Sequence, residues 1–309
     1  MVTTQRTRCT GVKTRPEIQG NLIILATALL WSTAGVLIKS IPWGSLSILS
    51  LRGLITVSVL LALRVWKIRR GKARPVRFTR YNVGAGVAMF ATSALFLAAN
   101  KLTTAANAIV LQYIAPILIL LFTALVQKRR PSKAEILLTV LVFLGCVLAF
   151  SDKLGGNGLL GDTLAILAGF CFAALILLSQ NKNTQAEDGQ IIGCGASFLF
   201  GLPFLLTDPA VTFAPDAAAA MLALGLLQYA LPSILFAKGV KLTRPVSASI
   251  ILTVEPIMSP VWVFLFLGEL PGTLAILGFV LVISAVTLQS LLPLLRKPKP
   301  GDVEPIAPE

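Results

Sequence analysis

Ser93, Leu95-Phe96, Lys101-Leu102-Thr103, Ala108, Pro116-Ile117 and Val140-Leu141-Val142 return, in the same order and without a gap, as Ser233, Leu235-Phe236, Lys241-Leu242-Thr243, Ala248, Pro256-Ile257 and Val280-Leu281-Val282. The offset is 140 residues throughout, as in Lys241 against Lys101. The chain is therefore two copies of one unit. Charge does not repeat with the rest: Gln127-Lys128-Arg129-Arg130-Pro131-Ser132-Lys133 stands opposite Leu267-Gly268-Glu269-Leu270-Pro271-Gly272-Thr273. Basic loops stay in the cytoplasm, so the two copies are predicted to cross a membrane in opposite senses. Inverted repeats of this kind are characteristic of secondary transporters, whose substrate sites lie near the midplane between the halves.

Composition agrees with a membrane location. Of 309 residues, 56% are hydrophobic and 13% charged, and the mean hydropathy is +0.84. A soluble chain carries about 25% charged residues. A helix needs about 20 mostly apolar residues to cross a bilayer. On that measure the predicted spans are 21–40, 45–66, 81–99, 104–126, 134–150, 159–180, 190–206, 217–237, 245–267 and 273–295. Such runs are too long for barrel strands, which alternate over about ten residues. The expected fold is an all-α integral membrane protein with ten transmembrane helices in two inverted five-helix repeats. An N-terminal tail (1–20) precedes the first repeat (21–151). A glycine-rich linker (152–158) joins it to the second (159–295), and a disordered tail (296–309) follows. The run Leu22–Ile38 is long for a signal core and reads as a retained first helix.

The net charge of +14 resides in short clusters between apolar runs, which marks topology rather than nucleic-acid binding. Arg6, Arg8, Lys13 and Arg15, the dense group from Arg64 to Arg80, Lys128–Lys133, Lys182, Lys238–Arg244 and Arg296–Lys299 all fall on one side. Lys39, Lys101 and Lys153 fall on the other, with Asp152, Asp208, Asp216 and Glu269. Both termini are expected in the cytoplasm, and the protein in the cytoplasmic (inner) membrane. Cys146, Cys171 and Cys194 lie in apolar runs and read as small hydrophobes; with Cys9 they give no disulfide or metal spacing. There is no histidine. No Walker A loop, H-E-x-x-H or G-x-S-x-G occurs, so neither an ATP-driven pump nor an enzyme is expected, and no cofactor or metal.

Polar groups inside spans are costly and therefore site candidates. They are Arg52, Asn100, Asn107, Gln112, Gln228, Thr253 and Glu255, with Trp31, Tyr113 and Tyr229 as amphipathic aromatics. Glu255 precedes Pro256, which frees a carbonyl one turn back and breaks the helix; Pro116 is its repeat mate. Two readings stand for Glu255: a proton-coupling carboxylate, or a structural group that pairs with Arg52 or caps a broken helix. Ser249, Thr253, Pro256 and Pro260 share one helical face, while Glu255 lies about 200° from Thr253 on a straight helix. Ala105, Ala108, Gln112 and Pro116 form the matching stripe in the first copy. Gln112 is either a substrate contact or an interhelical hydrogen bond. Trp31, Tyr113, Gln228 and Tyr229 divide in the same way between cavity lining and core. Gly189, Gly193, Ser197 and Gly201, and likewise Ala165, Gly169 and Ala173, recur at every fourth residue; such stripes serve an internal seam or a dimer face.

Ala28-Leu29-Leu30-Trp31-Ser32-Thr33 with Leu51-Arg52-Gly53, and Val254-Glu255-Pro256-Ile257 with Leu267-Gly268-Glu269, resemble the EamA family of the drug/metabolite transporter superfamily. The resemblance covers residues 20–295 and departs at Gln127–Arg130, where a Gly-Glu is common. It implies a ten-span secondary transporter with alternating access, a monomer or weak dimer. It also implies a small-molecule substrate, with protons or a counter-substrate as partners. Members move amino acids, nucleotide-sugars, sugar phosphates, vitamins and drugs, and bacterial members of this size often export amino acids. The alternatives are an exchanger or uptake carrier for sugar-phosphate, nucleotide-sugar or drug-like substrates, a channel, and a membrane-embedded enzyme or scaffold.

Overall fold

A computed structural model describes residues 14–151, 154, 158–212, 214–267 and 272–295. The expectations for residues 1–13 of the N-terminal tail with Cys9, for Asp152, Lys153 and 155–157 of the linker, for the 268–271 loop with Glu269, and for the tail from Arg296 lie outside these residues, while residues 14–20, expected as tail, belong to the first helix.

Side-chain caps mark the starts of three helices. Thr79 accepts the amide hydrogen of Asn82 (3.2 Å) ahead of α4, and Thr104 that of Asn107 (3.1 Å) ahead of α5. Ser132 and Glu135 form a reciprocal capping box at the start of α7. The elements are α1 (Thr14–Trp31), α2 (Ala34–Lys39), α3 (Ser45–Arg69), α4 (Arg80–Leu102), α5 (Ala105–Gln112), α6 (Ala115–Leu125), α7 (Lys133–Phe150), α8 (Leu159–Gln180) and α9 (Ala186–Thr207). They continue with α10 (Pro215–Ala223), a π-helical stretch (Leu224–Ala230), α11 (Leu231–Leu242), α12 (Pro245–Leu252), α13 (Val254–Leu267) and α14 (Thr273–Leu295). Among the described residues there is no strand.

Eight helical stretches are long and apolar enough to cross a bilayer, and Pro245–Ser259 is a shorter apolar helix. The expected spans at 21–40, 104–126 and 245–267 are interrupted: the first divides at Ser32–Thr33 between α1 and α2, the second at Tyr113–Ile114 between α5 and α6, and the third at Thr253 between α12 and α13. Residues Leu125, Leu159, Leu206, Leu227 and Val280 project outward from the bundle, as lipid-facing side chains do.

The repeat is visible in the elements. Shifted by 140, α5 (105–112) lands on α12 (245–252), α3 on α9, and α7 on α14. Equivalent helices pack against one another in opposite directions. Along α3 and α9, Gly44 N donates to Asp208 Oδ2 (2.7 Å), Ser50 Oγ to Phe198 O (2.9 Å) and Arg64 to Asp188 Oδ1, so numbers rise on one helix as they fall on the other. Between α7 and α14 the crossing is at Gly145 and Gly278. A Cβ on Gly278 would come within 2.5 Å of Gly145 O, so only glycine permits that approach. The remaining contacts exchange under the same shift: α4 packs on α8 as α11 packs on α1, and α5 and α6 on α8 as α12 and α13 on α1.

The small-residue stripes face inward. Gly189 and Gly193 lie against Ala85, Gly86 and Met89 of α4, Gly201 against Leu46 and Ser50 of α3, and Gly169 against the carbonyl of Gln112.

Candidate functional site: a central cavity at two helix breaks

Three physical features converge at the middle of the bundle. Helix α5 ends at Gln112, and α6 restarts at Ala115 with Pro116 in its first turn; α12 ends at Leu252, and α13 restarts at Val254 with Pro256 following. A proline cannot donate the hydrogen bond that would continue the helix, so both interruptions have the same cause. The two breaks touch. Tyr113, which occupies the first, places its hydroxyl 3.0 Å from Glu255 Oε2 and 3.4 Å from Leu252 O, and its single proton serves the carboxylate. A third interruption sits at Ser32–Thr33, whose hydroxyls donate to the carbonyls of Leu29 (2.6 Å) and Leu30 (2.8 Å). Trp262 Nε1 of α13 donates to Ser32 Oγ (2.7 Å) and ties this break to the second repeat.

The π-helical stretch lies alongside. Pro232 has no amide hydrogen for the carbonyl of Gln228, four residues earlier, and the register widens there. Gln228 uses the room to donate from Nε2 to Trp31 O (3.1 Å), across the interface between α1 and the second repeat.

These elements enclose a cavity of about 330 Å³ lined from both repeats. Trp31, Arg52, Asn100, Gln112, Tyr113, Gln228, Tyr229, Glu255 and Pro256 all border it. So do Ser32, Ser45, Thr92, Ser93, Gln190 and Ser259, and an apolar remainder that includes Met89, Phe96 and Phe172. The Arg52 guanidinium sits 4.0 Å from the centroid of the Tyr229 ring. Ser93 Oγ and Tyr229 Oη are 3.3 Å apart. Several buried polar atoms at the wall have no hydrogen-bond partner among the described residues: Trp31 Nε1, Arg52 Nε, Gln112 Oε1, Gln190 Oε1 and Gln228 Oε1. Orphaned polar atoms are costly in a protein interior, so these five are groups open to a ligand or water that enters the cavity.

Ser249, Thr253 and Pro116 do not line the cavity. Ser249 and Thr253 are fully buried, and their hydroxyls turn back on their own helix, to Val246 O (2.9 Å) and Ile250 O (2.5 Å). Pro116 is buried in α6. The cavity face of α13 carries Glu255 and Ser259, one turn apart. Asn107 is engaged elsewhere, donating to Asp162 Oδ1 (3.1 Å) where α5 and α8 begin.

One end of the bundle is sealed by charge. Arg64 and Asp188 are both buried and bonded to each other; Asp188 Oδ2 also accepts from Arg77 N (3.0 Å) and Asn82 Nδ2 (3.1 Å). Lys67 reaches Glu187 beside them (2.9 Å). The cavity extends from Gln190, two residues from Asp188, toward the α2–α3 and α4–α5 turns at the other end, where Ile38, Ser45 and Asn100 line it.

The EamA-like transporter family matches this sequence twice, over residues 18–151 and 159–291. The chain belongs to the EamA-like transporter family. It is thus a transporter and a multi-pass integral membrane protein, of the drug/metabolite transporter superfamily. Its relatives in the EamA family include the uncharacterized transporter YwfM of Bacillus subtilis, 29% identical over 295 residues (91% of this chain, 96% of the relative). The uncharacterized inner membrane transporter YicL of Salmonella typhimurium is 28% identical over 292 residues (86% and 95%). An uncharacterized transporter of Archaeoglobus fulgidus is 24% identical over 273 residues (87% and 95%). A solved crystal structure shares the fold with a TM-score of 0.77 at 19% identity, covering 90% of this chain and 99% of that one.

Several cavity residues of this EamA-family chain escaped a reading by polarity within spans. Ser32, Ser45, Ser93 and Ser259 are small hydroxyls that α-helices absorb by back-bonding, so they carry little signal. Ser93 did show itself as half of the repeat pair with Ser233. Gln190, 1% exposed near the start of α9, is a cavity-lining amide within an expected span that polarity alone identifies.

Proposed function

We propose that this EamA-family protein is a secondary active transporter that exports small metabolites such as amino acids by alternating access around the cavity. The observation that carries this reading is the cavity itself: it lies between the two repeats, at helix breaks related by the repeat. Discontinuous helices at a repeat interface free backbone groups for substrate. At about 330 Å³ the space is at the small end of ligand pockets, which suits a metabolite rather than a polymer. The antiparallel packing of α3 on α9 and α7 on α14 supports ten spans in two five-helix repeats of opposite orientation. The basic loops favour cytoplasmic termini in an inner membrane, with the protein as a monomer or weak dimer. In that orientation the Arg64–Asp188 network closes the cytoplasmic end and the cavity is turned outward.

Transport then requires this network to part while the opposite end closes. Glu255 is placed to couple movement to a proton: it faces the cavity, and Tyr113 supplies the hydrogen bond that steadies its charged form. A counter-substrate that exchanges through the same cavity serves the same cycle without a proton.

The test is counterflow. Proteoliposomes loaded with a mixed amino-acid pool should accumulate a labelled amino acid saturably, and an unlabelled competitor should abolish it. No accumulation of amino acids, and none of sugar phosphates, nucleotide-sugars or cationic drugs, in liposomes shown to hold folded protein would overturn the transporter cycle.

A further inference from the structure

The segment between α3 and α4 carries charge that the rest of the chain does not use. Arg69, Arg70, Lys72, Arg74, Arg77 and Arg80 fall within residues 69–80, with no acid among them. All six are exposed, and none forms an ion pair among the described residues. Two other basic turns spend part of their charge internally. Arg129 pairs with Glu135 (2.6 Å), Arg244 with Glu17 (3.1 Å), and Lys241 donates to Asn181 O (2.6 Å). Arg70 stacks on the Trp66 ring, 4.1 Å from its centroid, which orients the guanidinium but accepts none of its in-plane N–H bonds. Aromatic side chains accompany the cations on the outside: Phe78 is 76% exposed and Trp66 49%. Cations alone would be accounted for by topology; a phenyl ring left outside the bundle among them would not. The backbone of the segment is nonetheless fixed. Arg64 Nη1 donates to Arg74 O (3.2 Å), Arg77 N to Asp188 Oδ2 (3.0 Å) and Asn82 Nδ2 to Arg77 O (2.8 Å), while Val76 packs against the core.

We propose that residues 69–80 are a docking surface for anionic phospholipid headgroups of the cytoplasmic leaflet, and that docking favours the sealed state of the cytoplasmic end. Its placement in that leaflet rests on the orientation proposed above. Guanidinium groups take phosphate oxygens bidentately, and a main chain anchored where α3 ends and α4 begins presents them at headgroup depth. Phe78 and Trp66 complete the match, since aromatic rings settle at the boundary between headgroups and acyl chains. A soluble phosphate satisfies the cations and leaves those rings in water, so the lipid is the better occupant. The surface is not repeated: residues 209–220, the mates of 69–80, carry Asp216 and no cation. The coupling follows from what anchors the segment. Asp188 of α9 holds Arg64, Arg77 and Asn82 together, so the bonds of the seal are also the bonds that space the array. Once the seal parts, Arg77 loses its anchor and the cations lose their arrangement. A lipid that binds the ordered array better than the released one must favour the sealed state, by linkage.

The experiment adds phosphatidylglycerol, phosphatidylcholine or glycerol 1-phosphate to the full-length protein in detergent and reads thermal stabilisation. Each cation near an anionic surface contributes roughly fivefold in association. Phosphatidylglycerol should therefore act at a concentration tenfold or more below that of phosphatidylcholine, with glycerol 1-phosphate inert. Arg69→Gln, Arg70→Gln, Arg74→Gln and Arg77→Gln made together should remove the preference. Lys128→Gln, Arg130→Gln, Lys133→Gln and Lys182→Gln made together, which neutralise four other exposed cations, should leave it in place. Arg74→Gln and Arg77→Gln made singly keep the backbone bonds, and each should weaken the preference severalfold even where the first quadruple variant fails to insert. Hydrogen exchange in nanodiscs reads the coupling: with phosphatidylglycerol, the amides of residues 74–82 and 186–190 should exchange severalfold more slowly than with phosphatidylcholine. Equal action of the two lipids, stabilisation by glycerol 1-phosphate, or equal loss in both quadruple variants overturns the docking surface. Protection that stops short of 186–190 overturns the coupling. If the preference and the protection appear but no solute exchanges in proteoliposomes, the surface stands and the transport cycle falls. If solutes exchange and the preference is absent, the transporter stands and the surface falls.

Discussion

The segments Gln112–Pro116 and Leu252–Pro256 occupy the same place in the two repeats. Each ends one helix, turns once, and starts another on a proline. Their first helices end at equivalent residues and their prolines coincide, although the first break spans Tyr113 and Ile114 and the second Thr253 alone; the chemistry differs at three of the five positions. Gln112 faces Leu252, Tyr113 faces Thr253, and Ala115 faces Glu255. In the first repeat an amide and a phenol reach the cavity; in the second a carboxylate does, and the threonine hydroxyl is spent on Ile250. The difference separates two requirements. Breaking a helix at the centre of the bundle is structural and needs only proline, so both copies keep it. Recognising a substrate that is not itself two-fold symmetric demands an asymmetric wall, so the copies diverge where their side chains meet the cavity. Arg52 against Ile192 and Gln228 against Ala88 follow the same pattern.

Removing the carboxylate is the sharpest way to break this comparison. Glu255→Gln keeps the shape of the second break and takes away its charge. It also removes the charged acceptor of the Tyr113 hydroxyl, and hydrogen bonds to charged groups contribute about 1.5–3 kcal/mol, on the order of tenfold or more. Counterflow should fall at least that far, and pH dependence of transport should disappear. Unchanged pH dependence with weakened affinity assigns Glu255 to recognition alone. Unchanged transport removes it from the mechanism.

Tyr113→Phe comes next, because it severs the Tyr113–Glu255 hydrogen bond that joins the two breaks. Hydrogen bonds to charged groups contribute about 1.5–3 kcal/mol, so transport should drop on the order of tenfold or more. The ring remains to pack on Phe172, at 6.0 Å between centroids, so the melting temperature should move little. A large loss of stability with normal transport would make this bond a brace rather than part of the site.

Much of this arrangement was legible in the sequence, and for identifiable reasons. Apolar runs and the 140-residue offset are long-range signals that no local detail disturbs. Polar residues are rare inside the spans, so Arg52, Gln112, Gln228 and Glu255 stood out individually, and the structure brings them to one cavity. Helical phase was the weaker guide. Grouping Ser249 and Thr253 with Pro256 assumed an unbroken helix, and the interruption at Thr253 resets the phase, leaving Glu255 and Ser259 as the cavity face. The π-helical stretch was equally hidden, although Pro232 sits four residues after Gln228, where a carbonyl loses its donor. Which breaks propagate depends on the packing of neighbours, and a single chain of letters carries that only indirectly.

Gln112→Leu copies the second repeat onto the first and tests the comparison at smaller amplitude. Gln112 borders the cavity and its Oε1 has no donor among the described residues, so it is a group that a ligand can satisfy. A neutral hydrogen bond contributes about 1 kcal/mol, which predicts a severalfold rise in KM with kcat retained. Should the melting temperature fall while KM holds, Gln112 is an interhelical contact instead.

The smallest effect is expected at Ser249, and it is the most economical check on where the cavity ends. Its repeat mate, Ile109, borders the space, whereas Ser249 is fully buried and donates to Val246 O within α12. A hydroxyl satisfied by its own helix competes with nothing outside it, and alanine is the better helix former. Ser249→Ala should therefore shift stability by no more than about 1 kcal/mol and leave KM and kcat within twofold. A tenfold loss of transport at normal stability would mean that α12 unwinds during the cycle and exposes Ser249 to substrate. In that case the second break extends beyond Thr253 in another conformation, and the two repeats differ in their motion as well as in their chemistry.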